Sequence, residues 1–371
     1  MRINTYQLML RVENYLSNQT IYQFKWKSVM SKKAKNISTS RGQRANPNAR
    51  NFGLGSRDMK QAGVNALKEK FAASQIGFKS VAVQGQRFGQ FASYIRDSFN
   101  VRDMRSITQD HVRQYAQELD SRISGGELSA KSAHDYLAAV NSVLGQASGH
   151  SDLRVTASEV GLPDRSGITT VNKAISESQH HKVQSQLDDR LKAISSMQRS
   201  LGMRFEEACK NNPTSMYKEA VDSRTVTISE GTKGGQSRTV PIINPNQLDA
   251  LRNASTVQGN HHSMIPAHQT YAQFQSQSYK TYHQLGYQTH SERHAYAQHS
   301  YREHIRTITG VSDVRSPIES GYKHGQAHHQ YIADKVNCSP EKAKQLDHQV
   351  REMVAKELGH HRIDITNAYL G

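Results

Sequence analysis

His360 and Tyr369 stand nine positions apart in Leu358-Gly359-His360-His361-Arg362-Ile363-Asp364-Ile365-Thr366-Asn367-Ala368-Tyr369. A tyrosine hydroxyl can attack a phosphodiester and hold the broken strand as a phosphotyrosine ester, which keeps the bond energy for a rejoining step without ATP. Further upstream lie Arg204 and Glu207, Lys233 before Gly234-Gly235, and His290, Arg293 and His294 in one short run. On a helix, Arg204 and Glu207 share a face. Taken singly, an Arg-x-x-Glu pair reads as a surface ion pair and a turn lysine as an aid to solubility. Their order and combination decide whether they mean more.

Composition points to the partner. Forty-eight Lys and Arg against 32 Asp and Glu give a formal charge of +16 over 371 residues, so a polyanion, nucleic acid above all, is expected. The two cysteines, Cys209 and Cys338, supply neither a disulfide framework nor a Cys-based zinc site, and they suit a reducing cytosol. The sequence contains neither an apolar run long enough to span a membrane nor an N-terminal signal-peptide pattern. The expected location is the cytoplasm, with the nucleoid.

The elements that must carry these residues follow from periodicity. Residues 31–57 form a run rich in Lys, Arg, Asn, Gly and Ser; with residues 1–29, a candidate upstream extension before Met30, they read as a basic, flexible arm over 1–58. From 59 to 150 the spacing turns helical, for example at Val112, Tyr115, Ala116 and Leu119, with Thr108 as an N-cap and Ser129 or Ser132 capping the last helix. Residues 151–185 read as a linker. From 186 onward the pattern is helical again, interrupted at 223–242 by two β-rich runs around Gly234-Gly235, a hairpin signal. The expected class is therefore mainly α with a small β-sheet, α+β.

The ordered set resembles the tyrosine recombinases, the phage and integron-type integrases. Leu201-Gly202-Met203-Arg204, followed by Glu207, is similar to their first signature box; His290-Ser291-Glu292-Arg293-His294 resembles the second; and Leu358-Gly359-His360 with Tyr369 resembles the third. The resemblance covers about residues 60–371 and implies a helical, SAM-like core-binding domain over 59–150, a catalytic domain over 186–371, and a clamp of the two around double-stranded DNA. It implies that Tyr369 is the nucleophile, that Arg204, Arg293 and His360 hold the scissile phosphate, and that His290 orients or accepts the tyrosine proton. Lys233 would protonate the leaving 5′ oxygen. Glu207 would hold the local structure. His294, the position next to Arg293, would point elsewhere on a helix and support the fold behind the site. No metal or other cofactor is implied. A homotetramer on paired DNA sites is, with accessory DNA-bending proteins as further partners.

Two departures stand out. Sixty-six residues separate Arg293 from His360, more than in compact relatives; the excess near 310–337 reads as an inserted helical loop, and its histidines lack a framework for a metal site. Ser339-Pro340-Glu341 then opens a helix. The sequence also stops two residues after Tyr369, so the exchange of a following helix between protomers is not expected. Glu292 replaces the apolar residue usual in the second box. Rival expectations are type IB topoisomerase-like nicking and resealing, a catalytically silent DNA-binding regulator on the same fold, and, more weakly, a metal-using relaxase, whose His-hydrophobe-His triad is missing.

Overall fold

The computed structural model describes residues 44–371 and separates into two compact units that divide between Arg165 and Ser166. Each is built around its own apolar cluster.

Among the described residues, four α-helices form the first unit: α1 (Met59–Ala72), α2 (Phe78–Phe99), α3 (Gln109–Ser124) and α4 (Ala130–Ser148). Their ends are written in the sequence. Asp58 caps α1, Thr108 and His111 form a reciprocal capping box on α3, and Ser129, not Ser132, caps α4. The predicted stripe Val112, Tyr115, Ala116 and Leu119 is buried, with the Tyr115 ring edge-on to Phe91 at 5.1 Å between centroids.

Residues 1–43 of the expected arm lie outside the described residues. The remainder of it, 44–58, is not a loose extension. Arg44 is buried, donates from Nε and Nη2 to the two carboxylate oxygens of Glu69 at 2.8 and 2.6 Å, and reaches the carbonyls of Gln146 and Ala147 on α4. Asn51, fully buried, bonds the carbonyls of Ser56 and Arg57 and accepts from the Met104 amide. A basic composition hid these contacts, because a single buried arginine with a partner looks like any other in sequence. The expected linker also divides: Val155 and Leu162 belong to the core of the first unit.

The second unit begins with α5 (Glu177–Gln184), inside the stretch expected to be linker, followed by α6 (Asp189–Leu201), α7 (Phe205–Lys210) and α8 (Pro213–Ser223). Strands β1 (Thr225–Ile228) and β2 (Arg238–Pro241) pair antiparallel with Val226 opposite Val240 and Ile228 opposite Arg238. Helices α9 (Pro245–Gln258), α10 (Tyr271–Gln284) and the long α11 (His290–Thr309) follow. The predicted insertion holds α12 (Pro317–Ser320) and α13 (Gln326–Val336), whose Ile332 and Ala333 join the same core as Leu346 and Val350. Ser339 caps α14 (Pro340–Glu357), and a short turn, Ile363–Thr366, leads to α15 (Asn367–Leu370). Among the described residues the architecture is mainly helical with one two-stranded sheet. Among the described residues no helix is long and apolar enough to cross a membrane.

Candidate active site

The site grows from a glycine. Gly202 ends α6 in the left-handed region, at φ +61°, and a Cβ there would lie 2.5 Å from the Tyr296 ring. Only glycine fits both constraints. Its carbonyl accepts from Nη1 of Arg293 and, at 3.4 Å, from Nη2 of Arg238. Two residues on, Arg204 occupies the N-cap of α7, and the side chain of Glu207 accepts the Arg204 amide at 2.7 Å and its Nη1 at 2.6 Å.

Glu207 is fully buried and serves as the hub. Arg238 grips both its oxygens, at 2.8 and 2.7 Å, and Arg293 lies 3.9 Å away. Burial favours the neutral acid, but the Arg238 bonds and charge, the Arg204 amide and the Arg293 charge overcome it and hold the carboxyl at about 2. One buried carboxylate thus sets three guanidiniums. Arg238 escaped the sequence reading because its position on a return strand carries no motif; the alternation of β2 does place it inward, opposite Ile228.

Arg293 is fully buried on α11. It donates to the carbonyls of Gly202 and Leu358, which fixes it between the first and third motifs. Its Nε lies 3.3 Å from the Tyr369 hydroxyl and its Nη2 3.4 Å from Nε2 of His360. Burial lowers this guanidinium to about 10, still cationic at neutral pH.

Three imidazoles surround the nearly buried Tyr369 ring. Centroid distances are 5.9 Å to His290, 5.8 Å to His360 and 4.7 Å to His294. His294 therefore does not sit behind the site as the sequence suggests. It lies one helical turn after His290 on the same face of α11, and its ring is the nearer of the two to the tyrosine. Its Nδ1 has no hydrogen-bond partner among the described residues. Burial, helped by the surrounding cations, pushes His290 and His294 down to about 4 and His360 to about 3. All three are neutral at pH 7, each with one donor and one acceptor nitrogen.

Lys233 stands apart. It is exposed in the turn Lys233–Gly235 at the hairpin tip and makes no contact with the tyrosine. Its charge nevertheless contributes to lowering His360, and Gln236 in the same tip bonds His361. The tip is thus tethered beside the third motif, with the lysine exposed.

Glu292 explains its own departure from an apolar residue. Fully buried, it bonds Nδ1 of His180 at 2.8 Å, Nη1 of Arg199 at 2.9 Å and the Tyr287 hydroxyl at 3.1 Å. It joins α5 and α6 to the start of α11. A second buried acid, Glu357, accepts from Tyr296 and Ser300 at 2.9 and 2.5 Å and bonds His304 at 2.7 Å, locking α14 to α11. Among the described residues no group of His, Cys, Asp and Glu could hold a metal ion. The site thus sets Arg293 and three neutral imidazoles around the Tyr369 hydroxyl, with Arg204 on the shared carboxylate of Glu207.

Residues 164–299 match the model of a family described as Integrase. That segment takes in Arg204, Glu207, Lys233, Arg238, His290, Arg293 and His294, and ends before His360 and Tyr369. No curated protein matches. Among solved structures, a Tn1549 transposon integrase in complex with circular intermediate DNA is 11% identical over 85% of this chain and 96% of its own, with a TM-score of 0.48. The XerA recombinase is 14% identical over 84% and 93%, at 0.33. A lambda integrase dimer bound to a COC′ core site is 13% identical over 77% and 76%, at 0.43.

Proposed function

We propose, from the match of residues 164–299 to the integrase family model, that this chain is a site-specific DNA recombinase working through a phosphotyrosine at Tyr369. The observation that carries this reading is the Tyr369 hydroxyl 3.3 Å from Nε of Arg293, within the ring of His290, His294 and His360. A nucleophile held against a buried guanidinium that the Gly202 and Leu358 carbonyls fix suits attack on a phosphodiester.

In the forward step the Tyr369 oxygen forms a bond to phosphorus and the bond from phosphorus to the 5′ oxygen breaks. The tyrosine proton passes to neutral His290, whose depressed basicity rises as the negative phosphate enters. Arg204 and Arg293 hold the nonbridging oxygens, and His360 donates to one of them, so the added charge of the phosphorane meets donors already in position. Lys233 swings from the hairpin tip and protonates the departing 5′ oxygen. A 5′-hydroxyl from a partner strand then attacks the ester and releases the tyrosine. The first unit adds nonspecific grip through its basic side chains. Each chain has one such tyrosine and exchange between two duplexes cuts four strands, so four copies on paired sites complete the reaction.

The test is the polarity of the covalent bond. Sheared genomic duplex incubated with the chain should yield protein-linked fragments whose broken strand ends in a free 5′-hydroxyl, open to labelling by a polynucleotide kinase. Absence of an adduct, or a protein joined to the 5′ end, overturns the reading.

A further inference from the structure

The turn that carries the tyrosine is too short to hold itself. α15 has four residues, far below the length at which a helix is stable alone. Its position must come from outside, and none of the signature residues binds its backbone.

Arg351, in the middle of α14 and buried, uses every nitrogen of its guanidinium. Nη1 donates to the side-chain oxygen of Asn367 at 2.9 Å, Nη2 to the carbonyl of Gly371 at 3.1 Å, and Nε to Asp347 one turn earlier at 2.8 Å. Asn367 and Gly371 lie two residues before and two after Tyr369, so one planar fork brackets the nucleophile. Asp347 is itself pinned. It accepts from the Tyr301 hydroxyl of α11 at 2.5 Å, while His328 and His329 of the insertion and nearby His324 approach it at 3.7 to 3.9 Å. A continuous polar path thus runs from α11, the helix that carries His290 and Arg293, through Tyr301, Asp347 and Arg351 to both sides of Tyr369.

We propose that Arg351 is a positioning residue that sets the reach of the Tyr369 hydroxyl to the phosphate bound by Arg293. The proposal rests on the recombinase reading above. It also gives the inserted segment a part in the reaction: its histidines pack around the carboxylate that fixes Arg351. The guanidinium touches no substrate, so its effect falls on the rate of cleavage and not on the grip on DNA. A misplacement of about 1 Å at a reacting group costs about 100-fold in rate.

Deleting Arg351 outright would leave Asp347 buried without its cation and endanger folding. Two gentler variants avoid this. Arg351→Lys keeps a cation for Asp347 but cannot span Asn367 and Gly371 together, and Asn367→Ala removes one acceptor from a half-buried residue. Single-turnover cleavage is measured on a duplex first captured covalently by the wild-type chain from random genomic DNA. Each variant should cleave at least about 10-fold more slowly while retaining wild-type DNA binding. The double variant should be no slower than the slower single one, because both act through the same bond. Single variants that cleave at the wild-type rate, effects that multiply in the double variant, or losses matched by weaker DNA binding overturn the proposal. Absence of a wild-type adduct overturns the recombinase reading and this proposal with it, whereas a wild-type adduct with unslowed variants overturns this proposal alone.

Discussion

Replacing Glu207 with Gln removes the one charge that holds Arg204, Arg238 and Arg293 together. The carboxyl falls from an ordinary 4.5 to about 2 in the folded protein, which at about 1.4 kcal/mol per pH unit corresponds to about 3 kcal/mol of stability at neutral pH. The side chain is fully buried, so solvent screening takes little from this figure. It agrees with the roughly 3–5 kcal/mol lost when a buried ion pair loses one partner. A Gln oxygen could still accept one of the bonds from Arg238, but its amide would point a donor at donors. For a unit of this size about 3 kcal/mol lowers the melting temperature by roughly 6–12 °C. Because the folded value is the lower one, the contribution is complete above pH 4.5 and is lost as pH falls through about 2. Calorimetric melting of wild type and Glu207→Gln should therefore show the full gap at pH 7 and a narrower one at pH 3. A fall below about 2 °C at pH 7, or a gap that does not change with pH, would refute the claim that this carboxylate organises the site.

Lys233→Ala should slow cleavage of ordinary DNA by about 10² to 10⁴ yet cut a substrate with a 5′-thiolate leaving group nearly as well as wild type, since a better leaving group needs no acid; equal defects on both substrates would exclude the acid role. His290, His294 and His360 all have folded values below the ordinary 6.5, so the unfolded chain binds more protons and stability should decline as pH falls from 6.5 towards 4. DNA phosphate should raise these values again, and titration calorimetry at pH 5.5 in two buffers of different ionisation enthalpy should detect net proton uptake on binding; zero uptake would mean that the imidazoles do not face the phosphate. A chain that starts at Met59 loses Arg44 and leaves the buried Glu69 without its cation, with the Gln146 amide still donating to it, which should destabilise the first unit by about 3 kcal/mol or more; unchanged melting of that unit would show the contact to be dispensable.

The signature residues were legible because their chemistry needs fixed types at fixed spacing: Gly202 before Arg204, His290 before Arg293, and His360 nine before Tyr369 all meet in the folded site. Helix caps at Thr108 and Ser129 were equally legible, since an N-cap is a local interaction. What escaped was long-range and polar. Arg238 reaches Glu207 across 31 positions, and Arg44 reaches Glu69 across 25; strand alternation turns Arg238 inward without naming its partner, and Arg44 has no periodicity to mark it as buried. Basic residues at 44–58 therefore passed for a solvated arm. His294 was set behind the site by counting adjacent positions on a helix, although its four-residue spacing from His290 placed it on the same face.

The central claim is that Tyr369 is the atom donor for the covalent bond to DNA. Tyr369→Phe keeps the ring among His290, His294 and His360 and deletes only the hydroxyl. Wild type incubated with captured duplex should yield a denaturation-resistant adduct, and digestion followed by mass spectrometry should find nucleotide phosphate on the peptide containing Tyr369. The Phe variant should retain the same duplex with similar affinity and yield no adduct. An adduct of wild-type intensity from Tyr369→Phe, or nucleotide mapped to another residue, would contradict the account.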